Sequence, residues 1–263
     1  MKRFLLILLI SIAAFATSCT VCNTTSGSGR RIKGSGKLIA SEMPVPAFDA
    51  IDASRAVHVV ITDKVDKIHI EADDNVMDLV EVKASKGTLR IGISSKCQSL
   101  SDIHVTVKVP DNGRIASLSA SSAAKIRTEV GLTADQFEID ASSAAHIEVA
   151  VKARKCLVDA TSAARVHAAI SADECSADLS SAAKVRLSGR ADRLTADLSS
   201  ASKLDAEKLR TRKCSLDTSS AAHAEVNCSE MLVADASSGS SIRYSGDCKT
   251  SIDKSSGASV RKN

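Results

Sequence analysis

Aromatic side chains are almost missing from this 263-residue chain, which has four Phe, one Tyr and no Trp. Past residue 18 only Phe48, Phe137 and Tyr244 remain. The stacking platforms on which bases or sugar rings sit are therefore excluded. Proline is confined to Pro44, Pro46 and Pro110, so no later strand has to give up a backbone donor. No C-x-x-C pair occurs among Cys97, Cys156, Cys175, Cys214, Cys228 and Cys248; only Cys19 and Cys22 have that spacing. Charge of one sign is lacking too. The formal +4 falls to about +2 without Lys2 and Arg3, which gives no basis for nucleic acid as a partner.

What is present begins with an export signal. Lys2 and Arg3 precede the apolar run Phe4–Ile12, broken only by Ser11, and the small residues Ala16, Thr17 and Ser18 follow. The run is shorter than the about 20 residues that a membrane-spanning helix needs. Ala16-Thr17-Ser18-Cys19 resembles the lipobox of bacterial lipoproteins, with Ala16 where Leu is usual. The resemblance implies cleavage after residue 18, acylation of Cys19, and attachment to a membrane through that lipid. An ordinary secretory signal with a nearby cysteine is the alternative. Residues 19–37 are Thr, Ser, Gly and basic, with almost nothing to bury, and read as a flexible tether. Residues 38–117 read as an irregular β region, with strands at Val57–Ile61, Ile68–Ala72, Leu89–Ile93 and Ile103–Val109. Lys86-Gly87 reads as a turn, and 73–79 as a turn or a single helical turn.

From residue 118 to 263 the chain repeats itself. Units begin at Leu118, Ile139, Val158, Ala177, Ala196, Leu216, Ala234 and Ile252, at spacings of 21, 19, 19, 19, 20, 18 and 18 residues. Each opens on an apolar residue, then Asp (Ser119 in the first copy), a mostly small residue, two hydroxyl residues and two small ones. A mostly basic position and a second apolar one close the motif. A period near nineteen with apolar alternation around a small-residue corner predicts an all-β parallel β-helix. Helix fails despite the abundant Ala, because the apolar residues alternate rather than recur at 3.6. Ile51-Asp-Ala-Ser with Val57-His-Val looks like a diverged copy, which predicts that the N-terminal region joins the solenoid as its first, irregular coils.

Phe48-Asp-Ala-Ile-Asp, Val57-His-Val-Val-Ile, Ile70-Glu-Ala-Asp-Asp-Asn and Gly87-Thr-Leu-Arg-Ile resemble the head GIN domain family of auto-transporter adhesins over roughly residues 37–261. That family is common among lipoproteins of Bacteroidetes-type bacteria. The resemblance implies a right-handed single-stranded β-helix, a cell-envelope location and no catalytic residues. This chain departs from the family by placing Ala-Ala at corners where Gly is frequent.

The aspartate column Asp140, Asp159, Asp178, Asp197, Asp217, Asp235 and Asp253 is the sharpest candidate feature. Carboxylates stacked at the strand spacing of about 4.8 Å repel by roughly 1 kcal/mol per neighbour even in water. The favoured compensation is local: each Asp accepts backbone N–H groups of the Ser-Ser corner, with help from the basic residue six positions on. Divalent cations along the column are the weaker alternative; no D-x-D-x-D-G loop supports them, and no metal or cofactor is expected. The basic column Lys125, His146, Arg165, Lys184, Lys203 and His223 reads as a solvated face, with attraction of anionic glycans or lipid headgroups as its functional alternative. Cys156, Cys175 and Cys214 share a phase with Phe137, Leu194 and Leu232, which marks a buried column. Cys156 and Cys175 fall on adjacent coils, within disulfide reach, but pairing is not expected. His58, His69, His104, His146, His167 and His223 show neither metal spacing nor a partnered nucleophile. No repeat exceeds 21 residues, which leaves no loop to build a cleft and argues against a polysaccharide-processing enzyme. The expected function is non-enzymatic: a lipid-anchored protein of the outer membrane, presenting a repetitive surface to a glycan or protein ligand. A structural scaffold of the periplasm or outer membrane is the alternative.

Overall fold

The computed structural model describes residues 31–95 and 99–263; the export signal, Cys19, Cys22 and Cys97 lie outside them. Each regular coil is one long bent strand that closes on a four-residue corner. The strands are Lys125–Ala141, His146–Ala160, Arg165–Leu179, Lys184–Leu198, Lys203–Thr218 and His223–Ala236. Every one pairs in parallel with the next at the same phase, so Ile139, Val158, Ala177, Ala196, Leu216 and Ala234 stack in register. The result is a parallel β-solenoid of about eight turns. Alternation does the sorting: along His146–Ala160 the residues Ile147, Val149 and Val151 are buried and their neighbours face outward. Phe137 is the one large aromatic in the regular core, and mostly Ala, Val, Ile and Leu fill the rest. A thin core of small residues suits coils this short.

The corners are where the backbone departs from ordinary geometry. At each, the second hydroxyl residue and the residue after it both have positive φ: Ser143 at 50° and Ala144 at 61°, Ser162 at 54° and Ala163 at 60°. Ser181-Ala182, Ser200-Ala201 and Ser220-Ala221 repeat the pattern, and Gly239 and Gly257 take the second place in the last two corners. Left-handed backbone costs a residue with a Cβ roughly 1–2 kcal/mol. The stack offsets that cost. Ala144 N–H donates to the Ser162 carbonyl of the next coil, Ala163 to Ser181 and Ala182 to Ser200, each at 2.9 Å. Ala, not Gly, therefore serves at these corners because the neighbouring coil holds each one in place. Arg55 and Ala56 adopt the same pair of angles, which identifies residues 50–62 as a further coil.

That coil is not at the end of the stack. Ala50–Ala53 lies between Ser117–Ala120 and Thr88–Ile93, and His58–Thr62 lies between the start of Lys125–Ala141 and Val105–Pro110, all in parallel. The N-terminal strands do join the solenoid, as the diverged repeat predicts, but their spatial order is not their order in sequence. The chain runs through 68–110 beneath the coil at 50–62 and then climbs past it to begin the regular repeats. Leu38–Met43, Ile68–Asp73 and Val80–Ser85 pair antiparallel in this lower part. Such a change of direction breaks the stack and gives that end a different edge from the other. The Lys86-Gly87 turn is present, with φ of 52° and 81°, and Met77–Leu79 forms a single 3-10 turn.

Residues 31–37, read from composition as the end of a tether, are instead held to the fold. Arg31–Lys33 pairs with Ser99–Ser101 and buries Ile32. Gly34 fits against the Asp102 carbonyl and the Asp73 carboxylate, where a Cβ would collide with both. Asp73 is fully buried and accepts the N–H groups of Gly36 at 2.8 Å and His104 at 2.7 Å. The short Gly-Ser-Gly stretch is needed for close approach, not for looseness.

The corners and the buried carboxylate each have a measurable consequence. Replacing Ala163 or Ala182 by Gly relieves the strained angle but frees the unfolded chain, for a net gain of about 0.5 kcal/mol each; Val at either place costs about 2 kcal/mol. The denaturant midpoint reads both. For Asp73, the donated N–H of His104 foremost holds its carboxyl below the ordinary 3.8, against the opposing effect of burial. A lowered folded pKa means stabilisation that is complete above the unfolded value and disappears as pH falls through the folded one. Asp73→Asn should cost about 2 kcal/mol at neutral pH, and amide exchange at Gly36 and His104 should accelerate in the variant and, for the parent chain, only in acid.

Candidate binding face

The Asp column lies at the second position of each unit, facing away from the core next to the corner. Parallel in-register pairing stacks Asp140, Asp159, Asp178, Asp197, Asp217, Asp235 and Asp253 without a break. At the strand spacing of about 4.8 Å the row is roughly 29 Å long. Ser119 and then Asp52 continue it toward the N-terminal end. Asp140 to Asp217, with Thr161, Ser180, Ser199 and Ser219 beside them, line an open groove of about 460 Å³. The hydroxyl row is itself linked where Thr161 Oγ1 and Ser180 Oγ meet at 3.1 Å.

The local compensation expected for these carboxylates is not what the structure shows. Most of the corner N–H groups, including the one two residues past each Asp, are committed to backbone carbonyls. In one corner Thr161 donates to Ala141 at 3.0 Å, Ala163 to Ser181 at 2.9 Å, Ala164 to Thr161 at 3.1 Å and Arg165 to Ala145 at 2.9 Å. The N–H two residues past each Asp, the usual donor of an Asx turn, is thus spent on the neighbouring coil. Among the described residues no hydrogen bond and no ion pair reaches the side chains of the seven stacked aspartates, and the basic residues six positions on make no ion pair with them. The corner turns those basic residues onto another side of the solenoid.

The electrostatics reflect this exposure to like charge. Burial, then the neighbouring Asp52, raises the Asp140 carboxyl; burial, then Asp140 and Glu138, raises Asp159; burial, then Asp159, raises Asp178. Other outward columns are treated differently. Arg154 pairs with Asp135 at 3.0 Å, Arg193 with Glu174 at 3.2 Å, Arg186 with Asp205 at 3.0 Å and Arg212 with Glu230 at 2.7 Å. Each bond spans adjacent coils, so opposite charges meet at these four places, whereas Arg190 on Arg210 and Asp205 on Glu225 stack like on like.

The basic column runs His58, Lys125, His146, Arg165, Lys184, Lys203 and His223 in register. Glu148, Asp205 and Glu225 belong to the next outward column, where Asp205 binds Arg186, and Glu225 binds His223 at 2.9 Å and Arg243 at 3.7 Å. Burial foremost, with Arg127 and Lys125, lowers the His58 imidazole; burial, then His167, lowers that of His146. His146 and His167 meet edge to face at 5.2 Å. Their 21-residue separation against a 19-residue period could have signalled that diagonal contact. Among the described residues no group of three or more His, Cys, Asp or Glu side chains is arranged to hold a metal ion, the Asp column included. Cys156 and Cys175 are register partners, both buried as the shared phase predicts, and Cys214 is buried in the same column.

The same architecture occurs in known proteins. Residues 47–248 match the family model described as "Putative auto-transporter adhesin, head GIN domain". No curated protein matches the sequence. Among solved structures, a putative adhesin from Parabacteroides merdae superposes with a TM-score of 0.82 at 17% identity, covering 89% of this chain and 99% of that one. A protein from Parabacteroides distasonis described as a putative lipid binding protein gives 0.80 at 18%, covering 89% and 100%. A putative adhesin from Bacteroides fragilis gives 0.65 at 20%, covering 88% and 100%. At these identities the structural likeness speaks for the fold.

The unpaired row generates a prediction with a definite sign. A raised folded pKa means that the carboxyl favours the folded state when protonated, so the stability it contributes is lost as pH rises through the folded value. Replacing Asp159 by Ser, the residue already present at position 119 of the column, should raise stability at pH 7 by about 0.5 kcal/mol after allowance for solvent screening. The gain should vanish at pH 3, below the ordinary 3.8 of the carboxyl. Thermal midpoints of the two chains at both pH values measure it.

Proposed function

The chain belongs to the head GIN domain family of auto-transporter adhesins, and from that membership we propose that it is a non-enzymatic binding module, lipid-anchored at Cys19 in the bacterial outer membrane. The observation that carries the reading is the row of seven in-register carboxylates, left without partners while ion pairs such as Arg154–Asp135 and Arg193–Glu174 bridge coils on other columns. Unpaired like charges cost stability, and a surface that keeps them is suited to a partner that neutralises them. The repeat sets the kind of partner. A ligand with cationic groups in a row, on a protein surface or an amino-bearing glycan, engages several coils at once, and many weak contacts sum to useful avidity. Catalysis is disfavoured by the same regularity, because the regular coils present the same short corner and, among the described residues, no loop leaves them to enclose a substrate.

A second reading rests on the basic column. Lys125, Arg165, Lys184 and Lys203 make no ion pair among the described residues, and anionic headgroups or glycans would complement them. The structural neighbour described as a lipid binding protein supports that choice of ligand. A scaffold role remains the alternative to both if the solenoid faces the periplasm.

Protease treatment of intact cells, with a periplasmic protein as control, tests the placement. Digestion of the solenoid with the control intact is expected; protection would remove the adhesive role and leave the scaffold. Cys19→Ala should release the chain from the membrane fraction. Loss of binding to immobilised polylysine, but not to anionic vesicles, in the triple variant Asp159→Asn, Asp178→Asn, Asp197→Asn is the expected result for the acidic face. A drop of at least about tenfold is expected from three lost charges, and the reverse pattern would favour the basic one.

A further inference from the structure

Three thiols converge near the C-terminal end of the stack. Cys228 is fully buried at the end of the first straight part of His223–Ala236, where it is the register partner of Thr211. Its thiol is shared between the carbonyls of Met231, at 3.0 Å, and Arg212, at 3.3 Å. The buried Cys214 lies on the preceding coil, with Sγ 2.8 Å from the hydroxyl of Thr211, the register partner of Cys228. On the next coil the chain bends through Gly246 and Asp247 to Cys248, which is only partly buried. Gly246 sits so closely on the Cys228 carbonyl that any Cβ would collide with it. That contact presses the 246–248 bend onto the coil below, and the register pairs Asn227–Ser245 and Met231–Lys249 bracket Cys228 and Cys248 on adjacent coils at this one bend.

We propose that Cys228 and Cys248 are a dithiol that oxidises to a disulfide, stapling the last coil to the body of the solenoid. The geometry distinguishes the pair from the other cysteines. Cys156 and Cys175 face each other but are both sealed in the core, so no oxidant reaches them, whereas Cys248 gives the C-terminal pair an accessible entry point. Cys214 is in register with Leu232 on the coil of Cys228, which leaves it two coils from Cys248. Burial, then Cys228, pushes the Cys248 thiol up, while the nearby Lys262 ammonium opposes the rise. Lys262 is fixed at that bend by its 2.8 Å bond to Asp247.

The chemistry is thiol–disulfide exchange with a disulfide donor of the oxidising envelope. The Cys248 thiolate attacks one sulfur of the donor, forming a mixed disulfide and releasing one donor thiolate. The Cys228 thiolate then attacks the Cys248 sulfur, closes the intramolecular bond and releases the second. Two protein thiols lose two protons and two electrons, and the donor disulfide becomes two thiols. The product secures a strand with little cover: Lys249–Lys254 is exposed along its length and pairs with Met231–Ala236 on one edge.

The test uses the purified full chain, incubated with oxidised glutathione, blocked with a maleimide and cleaved after basic residues and Glu. Cleavage after Glu225 and Glu230 separates Cys228 from Cys214. The expected product joins fragment 226–230 to the fragment bearing Cys248, two hydrogens lighter than their sum. Oxidation should raise the thermal midpoint of the parent chain by about 3 °C and leave Cys248→Ser unchanged. Cys214→Ala should retain the link. Because Cys228→Ser alters a buried site, the partly exposed Cys248→Ser carries the comparison. Recovery of Cys248 as maleimide or glutathione adduct without a link, or its link to Cys214, would overturn the proposal.

Discussion

Every coil must donate its backbone hydrogen bonds to the coils above and below it, at one spacing and in one register. That single constraint carries the rest of the structure. It brings each residue directly over its counterpart in the preceding repeat, so a choice made once in the motif is made in every coil. Apolar positions become continuous columns, as Ile147, Val166, Val185 and Leu204 do, and the core closes without large side chains. Polar positions acquire the same neighbours above and below, and their energetics follow from that.

Three solutions to like-on-like stacking are visible. Around Arg154 and Asp135, or Arg193 and Glu174, the sequence varies from coil to coil so that opposite charges meet. At the corner, hydroxyl stacks on hydroxyl and small residue on small residue, and the interstrand N–H bonds hold Ser143 and Ala144 in angles they would not adopt alone. In the Asp column neither device is used. The Asx-turn donors are taken by stacking, the basic residues are turned away by the corner, and the carboxylates stand unpaired along the groove. The proposed binding role gives a reason for keeping a column that the fold does not require.

The two ends of the solenoid break the regularity in different ways. The N-terminal end reverses strand direction and is pinned by the buried Asp73, which gathers segments far apart in sequence. At the other end Lys249–Lys254 pairs with Met231–Ala236 along one edge, and Ile252 on it is exposed. A covalent link at Cys228 and Cys248 would serve there the purpose that antiparallel strands serve at the other end.

The repeat itself is legible in the order of the residues. Unit boundaries at Leu118, Ile139 and Val158, the Asp and basic columns, and the buried phase of Cys156 are all consequences of period, and a parallel stack converts period into position without further information. The lower strands are less legible because their partners are remote in sequence. Nothing local says that Ala50–Ala53 sits between residues 88–93 and 117–120, or that Gly34 must fit against Asp73. The surroundings of the aspartates are likewise beyond the sequence. An Asp before Ser-Ser is a good candidate to cap its own turn, and only the stacked backbone shows that the donor two residues on is already spent. The sequence by itself determined the architecture and which residues share a column, because those depend on repetition alone. Tertiary structure alone decided which columns find partners, how the ends are closed and which thiols meet, because those depend on where a corner turns and what a neighbouring coil has already taken.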